Sequence, residues 1–591
     1  MRNPRQLWLT FAFLLLCPGV STNVEAQTAA SHRPAASQAA KAYQEGLAHL
    51  QRNEPQQALE SLERAAKLDP NNPEIQNAVA QLLLQQKDFD GAIAHFRTVV
   101  RLRPKLAVAH AYLGQALAAK GSLDEAAQEL RTAVRLAPAE PEAHRSLARV
   151  LSQQRKIAPA IAESQEAVRL APNRADLHDE LGALFAQNQD FEKALAQFHL
   201  ALALNEQYAP AYLHLGAAQT AMQNPGAVDS LRKYVLLAPQ DATGYYYLGN
   251  ALENQNQRDE AISAYQDSVR LNPNMLQAQL HLGGLLQRAG EMDQAIEALQ
   301  KATELAPNIP DTHNSLGLAL LQLGQGGEAK KQFQEAIRLR PEDVSFQGNL
   351  AVADLQMSDF DGAVAGLQKA LAKAPERADL HYDLALALKL KDDLAGAIQQ
   401  LHEAIRIDPS LVDAYYTLGV TLWQKGDFPE AAKQLTSATA IKPDYAEAFY
   451  TLGTVYKQMD KLPEAAAALR KAISLQPEFV GAHTTLSAVL RQMGDMAGAD
   501  AEQQEGAKLA RERTSLQSAV FATNSGKRLL AAGDLDGALS QFRNAVRMSP
   551  SYAPAHFQLA LALARKGNSA EAAEEFKAAS TLDPRLKPPS E

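Results

Sequence analysis

Apolar and polar positions follow a helical rhythm along almost the whole chain beyond residue 38. In the segment VDAYYTLGVTLWQKGDFPEAAKQLTSATAIKP, residues 412–443, apolar side chains recur three and four apart, pause at Gly426-Asp427, and resume until Pro443. That spacing predicts two helices joined by a tight turn, each with one apolar face. The same pattern returns every 34 residues. Prolines mark the beat at Pro70, Pro104, Pro138 and Pro172, at Pro239, Pro273, Pro307, Pro341, Pro375, Pro409, Pro443 and Pro477, and at Pro550 and Pro584. Glu206 and Arg511 stand where the beat lacks its proline; one residue is missing after the first and five are added after the second. Sixteen units result, units one to fourteen over 39–513 and units fifteen and sixteen over 519–586.

The residues at fixed offsets carry the packing. Leu113-Gly114, Leu181-Gly182, Leu215-Gly216, Leu248-Gly249, Leu282-Gly283, Leu316-Gly317, Leu418-Gly419 and Leu452-Gly453 sit midway along first helices. Alanines such as Ala126, Ala194, Ala295, Ala431 and Ala538 recur in second helices. Small residues facing one another let two helix backbones approach closely. Glycines such as Gly121 and Gly426 close first helices in a left-handed conformation, and the proline after each unit stops the second helix. Each hairpin buries one face against its neighbour, so the array behaves as a one-dimensional stack.

The 34-residue period, the aromatic-x-x-Leu-Gly segment (Tyr212, Tyr245, Tyr415 and Phe449 hold its aromatic), the alanines and the terminal proline resemble the tetratricopeptide repeat family. The resemblance implies an all-α fold, an α-solenoid of antiparallel helix pairs wound into a right-handed superhelix. It implies a scaffold and identifies no ligand.

The period breaks once. Between Ala497 and Ala532, around the added residues 514–518, there is no proline, and the stretch is rich in the helix formers Ala, Glu, Gln, Arg and Lys. A continuous helix is expected there, with units fifteen and sixteen offset from the first fourteen.

The N-terminus reads differently. Arg2 and Arg5 precede the apolar run Leu7–Leu16, and Val24-Glu25-Ala26 ends in a small residue. This predicts a secretory signal peptide over 1–26, followed by an Ala/Ser-rich linker over 27–38. Ten apolar residues are too few to span a bilayer. Cys17 could serve a lipoprotein signal, but Leu16 occupies the position where that signal wants a small residue. Cleavage after Ala26 leaves a chain without cysteine, and no Asn-x-Ser/Thr sequon occurs, which favours export to a bacterial periplasm or envelope. No later segment is apolar enough to span a membrane, and residues 587–591 form a tail.

Composition narrows the chemistry. Lys+Arg 58 against Asp+Glu 67 leaves a formal charge of −9, which argues against nucleic-acid binding by phosphate neutralisation. A single cysteine excludes a disulfide framework. His110, His144, His178, His313, His381, His483 and His556 share one offset early in the first helix, where other units carry tyrosine or phenylalanine. Spread over separate hairpins they are packing residues, not metal ligands. No nucleophile elbow, Walker loop, dinucleotide fingerprint or HExxH segment appears, so catalytic, cofactor-binding and metal residues are expected to be none. Glycosyl-transferring relatives of the resembled family append a catalytic domain and carry an asparagine ladder, and both are missing here. The Lys/Asn pattern of chaperone-tail-binding members is likewise absent from Tyr43, Asn77, Ala111, Arg145 and Asp179.

One stretch stands apart. In units eleven to thirteen the offset after the early aromatic reads Tyr382, Tyr416, Tyr450. Three residues earlier are Asp379, Asp413 and Glu447; seven later are Lys389, Trp423 and Lys457. By the geometry the resemblance implies, these nine line a concave groove and form an aromatic platform for an extended peptide or a glycan. Tyr246 is an isolated counterpart. The chain is therefore read as an exported, non-enzymatic scaffold that binds protein or peptide partners in this groove; the alternative is a carbohydrate-associated module in polysaccharide assembly or export.

Overall fold

The computed structural model describes residues 33–588, with side chains from residue 36. The expected signal peptide, Cys17 and the first half of the expected linker lie outside the described residues, as do 589–591. What is described is helices and short turns, with no strand among them. Each expected unit is a helix hairpin, for example Val412–Lys425 with Phe428–Ile441. The first helix begins at Arg33, inside the segment read as linker, because Pro34 is compatible with a helix start and alanines follow. The chain divides into two compact units, one ending at Leu286 and one starting at Gln287.

Within a hairpin, size matching decides the packing. The mid-helix glycine of the first helix lies against the largest core side chain of the second. A Cβ built on Gly182 would stand 2.6 Å from the Phe198 ring, on Gly249 2.6 Å from Tyr265, and on Gly317 2.6 Å from Phe333. All three rings are fully buried. Where the first helix carries Ala148 or Ser487 instead, the residue sixteen positions on is the smaller or polar Ser164 or Gln503, but Ala80 and Ala385 keep the fully buried Phe96 and Leu401, so the approach also tolerates one methyl group. The left-handed turn after the first helix is made by glycine at Gly121 (φ 91°) but also by Lys87 (φ 65°) and Arg155 (φ 59°). The stack thus imposes that backbone even where a side chain opposes it.

The shared-offset histidines are not simple stand-ins for an aromatic ring. Six of the seven imidazoles are buried, His381 being half-buried, and each brackets its hairpin. His144 Nε2 donates to the Pro138 carbonyl at 3.1 Å, while Nδ1 meets Glu163 Oε2 of the second helix at 2.6 Å. His110, His178, His313, His381, His483 and His556 repeat the arrangement with Glu or Gln nineteen residues on. A carbonyl only accepts, so Nε2 carries a proton in all of them. The bracket closes off the proline carbonyl that the chain leaves at each unit boundary.

Unit ten lacks this bracket. Gln347 takes the histidine position, but the residue nineteen on is Gly366, and the buried Gln347 Oε1 has no hydrogen-bond partner. A Cβ at Gly366 would meet nothing within 4 Å. Gly366→Gln is therefore expected to raise stability by about 1–2 kcal/mol, from helix propensity and one restored hydrogen bond. Urea unfolding of Gly366→Gln beside Gly366→Ala checks it; a glutamine variant no more stable than the alanine variant would refute the bracket.

A single helix, Met496–Ala531, replaces the turn between units fourteen and fifteen. It starts as the second helix of one hairpin and ends as the first helix of the next. Repeat stacking lapses here: Gln503 takes the place of the large core residue, and Phe521 is 70% exposed where its counterpart Leu380 is 1% exposed.

Candidate functional site: the face where first helices meet

First helices of successive hairpins touch one another, as Pro141–Gln153 does Ala107–Lys120, and Ala378–Leu390 does Val344–Gln356. Second helices pack chiefly on first helices, so the first-helix side is the inner side of each stack. Residues one and two positions after the histidine offset meet there across repeats, at a separation of 35. Arg145 Nε lies 3.0 Å from both carboxylate oxygens of Glu180. His214 Nδ1 lies 2.8 Å from Asp179 Oδ1, Asn349 Nδ2 donates to Asn314 Oδ1 at 2.8 Å, and Tyr382 Oη lies 3.3 Å from Thr417 Oγ1. A second row of bonds links the far ends of the same helices: Ser152 Oγ to Gln187 Oε1 at 3.0 Å and Trp423 Nε1 to Gln458 Oε1 at 2.7 Å. The inner face is therefore laddered by its own polar rungs.

The nine residues of the sequence-based platform occupy one stripe. Offsets of three and seven residues fall within about 80° around a helix of 3.6 residues per turn. Their states differ. Asp379 is engaged by Arg377, with Nε at 2.8 Å and Nη2 at 2.5 Å. Tyr382 and Trp423 spend their polar groups on the rungs above, and Lys389 is partly buried, which pulls its pKa down. Asp413 and Glu447 are exposed, and Lys457 is half-buried.

Two aromatics that the offset pattern did not select complete the surface. Tyr416 packs on Tyr445 with ring centroids 5.1 Å apart, and Tyr450 on Phe479 at 4.8 Å. Both newcomers sit two residues after a unit-ending proline, a position of mixed character elsewhere, so only the Pro-x-aromatic spelling hinted at them. Burial pushes the Tyr445 phenol up to about 12, helped by the nearby Asp413 carboxylate, Tyr416, and the Glu447 carboxylate. Lys442 lies 4.9 Å above the Tyr445 ring. Tyr246 heads a separate cluster with Tyr247, Tyr265 and His281, at centroid distances of 5.5–6.1 Å.

Asp383 is the odd member of this face. It lies one turn beyond Asp379 on the same helix, and burial, with the Asp379 charge adding to it, raises its pKa to about 6. What the surface offers is recognition: aromatic faces, unpaired carboxylates and amide or hydroxyl rungs. Among the described residues no three His, Cys, Asp or Glu side chains come together as metal ligands.

Models of the tetratricopeptide repeat match residues 43–107, 217–275, 246–310, 314–356 and 523–586, with further models of the same repeat at 83–150, 390–426, 422–460 and 446–479. The chain belongs to the tetratricopeptide repeat family. No curated protein matches it. Among solved structures it is similar to MamA (25% identity over 28% of this chain and 96% of that one, TM-score 0.27). It is also similar to yeast Tom70 (17% identity, 77% and 96% covered, TM-score 0.36). A third is the Cut9 and Hcn1 hetero-tetramer of the APC/C (16% identity, 83% and 96%, TM-score 0.35). No helix among the described residues is long and apolar enough to cross a membrane.

Proposed function

We propose that this tetratricopeptide repeat array is an exported, non-enzymatic scaffold that holds an extended protein segment against the inner face of units eleven to thirteen. The observation that carries the reading is the run of half-exposed rings Tyr382, Tyr416 and Tyr450 on three consecutive first helices. Tyr445 and Phe479, each just before a following first helix, pack on the last two, and Asp413 and Glu447 lie at the edge. Rigid aromatic side chains supply contact area at low entropic cost, and a row of them at helix-pair spacing suits an extended chain. The N-terminal pattern of Arg2, Arg5 and Leu7–Leu16 supports export, with a bacterial envelope as the compartment.

Affinity capture from envelope extract tests it, with the wild type beside the Tyr382/Tyr416/Tyr450→Ala triple variant. Truncating three central aromatics should weaken a groove-bound partner at least tenfold, on the scale of interface hot spots. A partner list unchanged by the triple variant, with its helical circular dichroism intact, would remove recognition from units eleven to thirteen.

A further inference from the structure

Four polar rungs of the inner face follow one rule, although the same positions elsewhere hold pairs with an apolar member, such as Leu213 with Tyr247 and Leu280 with Ser315. The residue after the histidine offset in one unit reaches the second residue after it in the next: Arg145 to Glu180, Asp179 to His214, Asn314 to Asn349, Tyr382 to Thr417. Between the last two, the rule pairs position 348 with Asp383. Position 348 is glycine. A Cβ added there would stand 4.0 Å from Asp383 Oδ2 and would meet only the end of the Leu380 side chain more closely, at 2.9 Å. Asp383 therefore faces the place of a rung partner that the chain does not supply.

Its neighbours do not substitute. The nearest cation, Arg377, has Nε and Nη2 on Asp379 and Nη1 3.4 Å from Ser345 Oγ. The carboxylate is thus held on a helix face beside a second carboxylate, with the local guanidinium already committed. A partly buried, unpaired acid is costly, and an incoming cation relieves that cost.

The chain itself shows what fits such a place. At the equivalent rung Arg145 inserts its guanidinium between first helices and bonds Glu180 through Nε and Nη2, with Asp176, one turn before Glu180, 3.1 Å from Nη1. Asp383 with Asp379 one turn before it repeats the acidic half of that arrangement, and Tyr382 is the residue immediately before it. Planar guanidinium suits a carboxylate bidentately and lies well on aromatic faces, whereas ammonium does neither as well.

Resting on the groove reading above, we infer that the gap at Gly348 and Asp383 is a pocket for one arginine side chain of the bound protein segment, which completes the missing rung in trans. The rest of the segment then runs over Tyr382 and Tyr416 toward Tyr450. At about 3.3–3.6 Å per extended residue and 8–10 Å between packed helices, about three residues of the partner span each repeat. The partner's arginine therefore precedes or follows its aromatic-contacting residues by multiples of about three.

Two experiments on the full-length protein test the inference. In the first, protein carrying carbon-13-labelled aspartate is titrated with Nα-acetyl-arginine amide, with the lysine amide and with the neutral citrulline amide. The arginine probe should lower the proton affinity of Asp383 about tenfold or more, as an opposite charge within hydrogen-bond reach does. Citrulline should leave it unmoved. An arginine response no larger than that of citrulline, or equalled by lysine, overturns the assignment. In the second, Gly348→Arg supplies the rung from within, as Arg145 does, while Gly348→Ala adds only the Cβ. The captured partner should be lost from Gly348→Arg and retained by Gly348→Ala; retention by Gly348→Arg overturns the pocket. The two readings fail separately. A partner lost from the tyrosine variant but kept by Gly348→Arg leaves the groove standing without its arginine pocket, whereas a partner indifferent to the tyrosines removes the groove itself.

Discussion

Phe333→Ala should lower the stability of the second compact unit by about 3–5 kcal/mol, the range for removing a fully buried ring. Phe333 is fully buried against Gly317, and the ring can lie there only because the glycine has no Cβ, which would stand 2.6 Å from it. With the ring gone, the first helix Pro310–Gln322 and second helix Gly326–Leu339 lose their shared contact, and glycine cannot fill the void. In a stack of near-neighbour interactions the damage stays local. Hydrogen exchange should speed up over 310–339 first, and urea unfolding should acquire an early phase. Phe333→Leu should cost under about 1.5 kcal/mol, because leucine serves the same position at Leu435 and Leu469 opposite Gly419 and Gly453. Uniform exchange along the chain in Phe333→Ala would contradict the local picture.

Asp383→Asn should do the opposite. A carboxyl whose pKa is raised to about 6 in the folded protein, against about 3.9 unfolded, binds more protons folded than unfolded between those values. Stability from this group therefore falls as pH rises from about 4 to 6, and above pH 6 the native state carries the full cost of the partly buried charge. The asparagine variant avoids it. Its advantage over wild type should be near zero at pH 4 and reach on the order of 2–3 kcal/mol at pH 7. Denaturant unfolding at both pH values measures the difference. An advantage that does not change with pH would mean that Asp383 is not held as a costly acid. The same variant should lose the arginine response, so that stability rises as recognition falls.

Much of the hairpin was legible before any coordinates. Leu-Gly in the first helix, alanine in the second and proline every 34 residues each answer a local requirement: close approach, small volume, a helix stop. A requirement met within one hairpin repeats with the period and can be counted along the chain. The seven histidines show where counting stops. Their shared offset was visible, but their bracketing of a proline carbonyl and a glutamate or glutamine nineteen residues on was not, because the partner lies on the other helix. Tyr445 and Phe479 were missed for a similar reason. They follow the proline, outside the first-helix stripe, and reach Tyr416 and Tyr450 only through the way one hairpin settles on the previous one.

The sequence by itself determined the helix pairs, their number, and the stripe on which Tyr382, Tyr416 and Tyr450 fall, since these depend on helical periodicity and a fixed repeat length. The tertiary structure alone decided which residues meet across repeats: Arg145 with Glu180, Tyr382 with Thr417, and Asp383 with the empty space at Gly348. Those contacts join residues 35 apart, and they depend on the angle and rise between stacked hairpins. That geometry is set by the summed packing of many side chains at once, so no local pattern in the sequence spells it out.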